Sequence, residues 1–264
     1  MIQQTYEWGS LTTEEAAALP DTAIAVLPIG SIEQHGAHLP LATDLIMADR
    51  VSAEVCARVG STYDLWRLPP LAYSKSNEHI GFAGTLTLRT ETLLSVLDEI
   101  AGSLSTTPVR TLVLINGHGG NTSLLDVAIR DLRIRHGLTT FLVHTLLPAE
   151  QGGESHPDEL GMGLHGGRDE TSLMLHLVPD LVRSDRFVRD VPDELLGYAN
   201  IGVSGPARMG WITSDISKTG TIGDPTLATT EFGAEQFESM IESISAQMRD
   251  ISHYTRTTER VARP

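Results

Sequence analysis

The segment Thr111-Leu-Val-Leu-Ile115 is a β-branched and aliphatic run, the pattern of a central strand buried on both faces. Such strands belong to parallel sheets covered by helices, which narrows the chain to an α/β architecture. The surrounding sequence supplies partners. Residues 23–29 read as a second buried strand, 84–88 as an alternating strand and 139–147 as a fourth. Between them, apolar residues recur at helical spacing over 44–59 (Leu45, Ala48, Val51, Val55, Val59), 91–104 and 123–135. Residues 170–177 read as a short helix and 226–251 as a long one. The Gly-rich segments 150–166 and 196–225 fit neither pattern, and loops of that length usually carry function or cover a site.

Composition removes several classes of function. With 19 Lys and Arg against 34 Asp and Glu, the net charge is −15, so neither nucleic acid nor an anionic membrane is an expected partner. The longest apolar stretch, Ala-Ile-Ala-Val-Leu-Pro-Ile, falls far short of the ~20 residues a membrane helix needs. The first ten residues lack the basic and apolar regions of a secretory leader. A single cysteine, Cys56, excludes an intramolecular disulfide and suits a cytoplasmic location; within its helix it reads as a small buried side chain. At 264 residues, with no repeat or linker, the chain is expected to form one domain over 1–264.

Three segments carry chemistry. In Gly30-Ser-Ile-Glu-Gln-His-Gly-Ala-His-Leu-Pro-Leu-Ala-Thr-Asp44, Glu33 and His35 are two apart and leave an extended segment on the same side. Asp44 opens the following helix, where capping by Thr43 or Asp44 is the plainer role. In Asn116-Gly-His-Gly-Gly-Asn121, His118 lies just past a central strand, where open α/β sheets place their ligands. In His165-Gly-Gly-Arg-Asp-Glu170-Thr-Ser, a histidine and a carboxylate precede a helix; Glu170 also fits an ordinary first-turn acid. Imidazoles and carboxylates without thiolates suit a catalytic zinc, manganese or iron(II) site better than a structural zinc site. Five candidate ligands, Glu33, His35, Asp44, His118 and Glu170, make one or two ions feasible, with Asp44 the natural bridge. Metal-assisted hydrolysis is the economical chemistry.

At these three segments the sequence resembles the creatininase (creatinine amidohydrolase) family, with weaker echoes in Glu78-His-Ile-Gly-Phe-Ala-Gly-Thr-Leu-Thr87 and Gly220-Thr-Ile-Gly-Asp-Pro225. The resemblance covers roughly residues 20–245. It implies a three-layer α/β/α sandwich around a mostly parallel sheet, a divalent metal centre, amide or cyclic-amide hydrolysis, and a homo-oligomer, commonly a hexamer. It implies that Glu33, His35, Asp44 and His118 are metal ligands, and that Glu170 serves the metal or its surroundings. By the same resemblance, His165 assists proton transfer to a leaving nitrogen. Asn116 and Asn121 either orient His118 or bind substrate, the Gly119 backbone is placed to donate to an oxyanion, and Glu78 and His79 are expected at the pocket rim.

Three departures point away from creatinine as substrate. Gly119-Gly120 stands where creatininase itself has Tyr-Glu, and Leu164 stands where it has a glutamate before the matched histidine. The tryptophans that cage creatinine have no evident match, since Trp8, Trp66 and Trp211 lie outside the matched segments. The expectation is therefore a metal-dependent amidohydrolase acting on an amide-type C–N bond (a cyclic amide or formamide) in a small polar molecule. The alternatives are a metallopeptidase trimming a short precursor peptide, a hydrolase of an inosose-type ketone, and, in another class, a non-catalytic metal-binding scaffold.

Overall fold

The computed structural model describes residues 6–147, 151–204 and 206–257. Residues 1–5 (half of the segment read as leader-free), residue 150 and residue 205 lie outside the described residues. The elements run α1 (Thr13–Ala17), β1 (Ile24–Ile29), α2 (Thr43–Tyr63), β2 (Leu65–Arg67), α3 (Thr90–Leu104), β3 (Thr111–Asn116), α4 (Thr122–His136) and β4 (Thr139–His144). Then follow α5 (Arg168–Leu177), a minimal pair β5 (Ile201–Gly202) and β6 (Ala207–Arg208), α6 (Thr213–Ile216) and α7 (Thr230–Thr257).

Strands β2, β1, β3 and β4 form one parallel sheet in that order. Side-chain alternation divides it into two apolar faces. Ile24, Val26, Val113 and Ile115 pack with Met47, Val51 and Val55 of α2, Leu173 and Met174 of α5, and Ile241 and Ile244 of α7. Ala25, Leu27, Leu112 and Leu114 face the other way, onto Leu93 and Leu97 of α3 and Leu125, Ala128 and Leu132 of α4. Helices on both faces of a parallel sheet make the three-layer α/β/α sandwich. Among the described residues, no helix is long and apolar enough to cross a membrane.

Pro28 breaks no ladder although β1 is central. Its carbonyl accepts from Leu71 N–H at 2.9 Å, so its nitrogen faces the side where β2 has already ended.

Strand order decides where a ligand can sit. The chain steps from β1 outward to β2, then returns across β1 to β3 and continues to β4. The order reverses between β1 and β3, and the crevice beyond their carboxyl ends is the switch point at which open α/β sheets bind ligands.

Four local expectations differ from the structure. Residues 84–88 are not a strand; only Leu86 docks, donating its N–H to Ile32 O at 2.8 Å. The short strand β2 has no counterpart in the sequence reading. Strand β4 stops at His144, and the C-terminal helix starts at Thr230 because Pro225 opens a separate 3-10 turn, Pro225–Leu227. The cap of α2 is Ala42, without a side-chain bond, so neither Thr43 nor Asp44 is spent on capping.

Candidate metal centre

The switch point is filled by the residues that leave β1 and β3. Beyond β1 the chain passes Gly30 and presents Glu33 and His35; beyond β3 it passes Gly117 and presents His118. Both glycines touch the start of α2. A Cβ at Gly30 would stand 2.6 Å from Leu45 N, and one at Gly117 would stand 2.7 Å from Asp44 O. That close approach brings Asp44, in the first turn of α2, between the two strand ends. The turn before α5 adds His165, and the first turn of α5 adds Glu170.

The contacts are short and buried. His118 Nδ1 is 3.2 Å from Glu33 Oε1 and 3.3 Å from Asp44 Oδ2. His35 Nε2 is 3.3 Å from Asp44 Oδ1, 3.9 Å from Glu33 Oε1 and 3.9 Å from Glu170 Oε2. His79 Nε2 and His165 Nδ1 approach Glu33 Oε1 at 3.2 and 3.8 Å. Three sets have ligand atoms close enough to share an ion: Glu33 with His35 and Asp44, Glu33 with His79 and His165, and His35 with His165 and Glu170.

Backbone carbonyls fix which ring nitrogen faces inward. His35 Nδ1 donates to Glu33 O at 3.2 Å, His118 Nε2 to Lys75 O at 2.9 Å and His165 Nε2 to Gln34 O at 2.6 Å. In each ring the other nitrogen points into the cluster, as in metal-ligating histidines. Gln34 is itself locked, accepting from Gly36 N–H and donating to Gly220 O, each at 2.9 Å. Its amide also donates to His79 Nδ1 at 2.9 Å.

The buried charges of the cluster answer one another. Burial would push the Glu33 carboxyl up, but the imidazoles of His118 and His79 outweigh it and hold it well below the usual range. His35 resists burial and is lifted to about 9 by Asp44, Glu170 and Glu33. His118 is likewise raised well above its ordinary value, with Glu33 and Asp44 overcoming burial. His165 is held well below its ordinary value by burial and by His79 and His35, which keeps it neutral. Burial takes Glu170 up to about 7, with His35 opposing.

Whether a cation fits is decided by atoms left without partners. Glu33 Oε1 and Oε2, His35 Nε2 and Asp44 Oδ2 are buried and make no hydrogen bond. An unsatisfied buried polar atom costs about 1–3 kcal/mol, and more if charged. Glu33, His35 and Asp44 each offer a ligand atom within 4.8 Å of the other two, which matches the donor set of a divalent ion.

Above the cluster lies a cavity of about 230 Å³. Glu78, His79 and Gly119 line it. Asn116 and Asn121 do not line it, and of their two readings the contacts favour orienting His118 over binding substrate. Asn116 donates to His118 O at 2.7 Å and accepts from His118 N–H and Asn121 Nδ2, each at 3.2 Å. Asn121 accepts from Lys75 N–H at 3.1 Å. Both amides are consumed in bracing the loop that aims His118. The remaining wall comes from residues the sequence left unplaced. Val203, Arg208, Met209 and Trp211 descend from the second Gly-rich segment, and Leu164 stands beside His165. Trp211 lies at the pocket after all, although no local motif marks it.

An open parallel sheet with histidines and carboxylates gathered at its switch point defines an α/β protein with a divalent-metal centre. A family model described as "Creatininase: Creatinine amidohydrolase" matches residues 9–248. The mycofactocin precursor peptide peptidase of Mycobacterium ulcerans (strain Agy99) is 35% identical over 241 residues, 89% of this chain and 88% of its own. Creatinine amidohydrolase of Pseudomonas putida is 32% identical over 261 residues, 92% of this chain and 95% of its own. The solved structure "Creatininase Mn" superposes with a TM-score of 0.72 at 27% identity, covering 94% of this chain and 98% of that one. The chain belongs to the creatininase family, and it is a hydrolase.

Proposed function

We propose that this hydrolase uses one or two divalent cations, zinc, manganese or iron, to cleave an amide-type C–N bond in a small polar molecule other than creatinine. The observation that carries the reading is the set of unpartnered buried atoms on Glu33, His35 and Asp44. Glu33, Asp44 and His118 would hold one ion; His35, Asp44 and Glu170 would hold the other, with Asp44 common to both. A cation bound there supplies Lewis acidity, bringing the pKa of a water towards ~7 and polarising a carbonyl.

The chain's own groups handle the proton. His165 is neutral, and its Nδ1 lone pair faces the cluster. It therefore begins as a proton acceptor: it takes the proton of the attacking water and passes it to the departing nitrogen. The Gly119 backbone N–H is the candidate donor to the developing oxyanion. Glu78 and His79 at the wall are candidate substrate contacts. Their neighbours Arg208 and Trp211 add a cation and an aromatic face for an anionic or planar group. The reading includes one domain over 1–264, a homo-oligomer such as a hexamer, and a cytoplasmic location.

The similarity to a precursor-peptide peptidase over 89% of the chain favours a second occupant of the same site, the end of a short peptide. One experiment addresses both. Asp44→Ala should lose bound metal and at least a hundredfold in hydrolysis, measured by elemental analysis and by turnover of formamides, cyclic amides, short peptides and inosose-type ketones. Unchanged metal content and unchanged rate would refute the metal mechanism. The productive substrate class separates the small-molecule reading from the peptide reading.

A further inference from the structure

One carboxylate beside the cluster belongs to neither half of the proposed centre. Glu78 sits on the 3-10 turn Asn77–His79, whose backbone is fastened by Thr213 Oγ1 donating to Glu78 O at 3.0 Å. Its Oε1 lies 3.2 Å from His118 Nε2, the ring nitrogen turned away from Glu33 and Asp44. The side chain is only 15% exposed. It rests directly on the backbone of Gly120, where an added Cβ would fall deep inside van der Waals contact with Glu78 Oε1. The φ of Gly120 is not in the left-handed region, so room for the carboxylate, rather than backbone conformation, is what calls for glycine there. The two positions are complementary: residue 120 has no side chain, and residue 78 fills the space.

We propose that Glu78 is a positioning residue for the metal centre, acting through His118. The Lys75 carbonyl takes the His118 Nε2–H at 2.9 Å, and the Glu78 carboxylate places a negative charge behind the same nitrogen. A charge in that position makes the opposite nitrogen, Nδ1, a stronger donor to a cation and keeps the ring aimed. Glu78 belongs to none of the three sets whose ligand atoms lie close enough to share an ion. The inference rests on the reading of Glu33, Asp44 and His118 as ligands.

The test is metal binding by the whole chain rather than turnover. Protein freed of metal by chelation is titrated calorimetrically with Zn²⁺ and with Mn²⁺, in the parent and in Glu78→Gln, Glu78→Asp and Glu78→Ala. Loss of an outer partner of a metal-ligating histidine typically costs 10–100-fold in affinity. Glu78→Gln, which keeps the shape and removes the charge, should weaken binding about tenfold, and Glu78→Ala by up to about a hundredfold. Glu78→Asp should recover part of the loss, and the melting midpoint of the metal-free variants should not fall. Gln and Ala variants that bind both ions within twofold of the parent overturn the proposal. So does a loss of affinity matched by a loss of metal-free stability, or a rise in KM with metal affinity intact. A parent that binds neither ion overturns the metal mechanism and this inference together; a parent that binds, with variants that bind equally, overturns this inference alone.

Discussion

Three backbone carbonyls, those of Glu33, Lys75 and Gln34, select the inward-facing nitrogens of His35, His118 and His165. For His165 the choice sets the order of events: a neutral ring with an inward lone pair must accept a proton before it can give one. Replacement His165→Gln should therefore lower kcat about 10²–10⁴-fold while metal content stays at the parental level, checked by steady-state kinetics with elemental analysis. His38 works differently. Its Nε2 donates to Gly166 O at 3.0 Å and its ring meets Phe187 edge-on, so it ties the first motif to the third. Burial drives its pKa down to about 4 from an ordinary 6.5. The unfolded chain takes up a proton that the folded chain refuses, so this contribution to stability is full above pH 6.5 and is lost as the pH falls towards 4. His38→Gln keeps a donor and cannot titrate; its melting midpoint should decline less than the parent's over that interval, by a few degrees in calorimetry. The residue types at 33, 35, 44 and 118 were legible in the sequence because ligand chemistry restricts them so narrowly. The carbonyls behind the rings were not, because any residue type offers one.

At the scale of elements, the centre depends on how closely two strand ends press on one helix. Gly30 and Gly117 leave no room for a methyl group against the first turn of α2. Gly30→Ala and Gly117→Ala should each cost about 1–3 kcal/mol in denaturant unfolding and also weaken metal binding, because relief of the clash moves Asp44. The sequence announced this geometry only as glycines after apolar runs. Long, strongly patterned elements such as β1, β3, α3 and α4 were readable, since each buries a face over many residues. Three residues of β2 bury too little to leave a pattern. The alternation over 84–88 imitated a strand because Leu86 pairs at a single point with Ile32. The wall formed by Val203, Arg208, Met209 and Trp211 escaped notice for a related reason. Loop residues are placed by what they dock onto, here the small cluster of Leu164, Val203, Ile216 and Ile222, and carry no period of their own.

For the whole molecule, the two apolar layers and the polar centre are separable. The layers are continuous across the sheet and include none of the proposed ligands. Chelation should therefore leave the far-ultraviolet circular dichroism unchanged yet lower the melting midpoint. Restoring metal to a hundredfold excess over its Kd should return about 2.7 kcal/mol, read from denaturant unfolding with and without the ion. A chain that unfolds completely on chelation would show instead that the centre holds the layers together.

The spread of the proposed ligands along the chain, from Glu33 to Glu170, bears on how the protein is made. Glu170 rides on α5, and α5 is packed beneath α7, where a Cβ at Gly233 would meet the backbone at Leu173 N at 3.0 Å. During synthesis, Glu33, His35, Asp44 and His118 leave the ribosome well before the helix that seats Glu170. The proposed ligand set is then complete only late, once α7 has packed against the helix that carries Glu170.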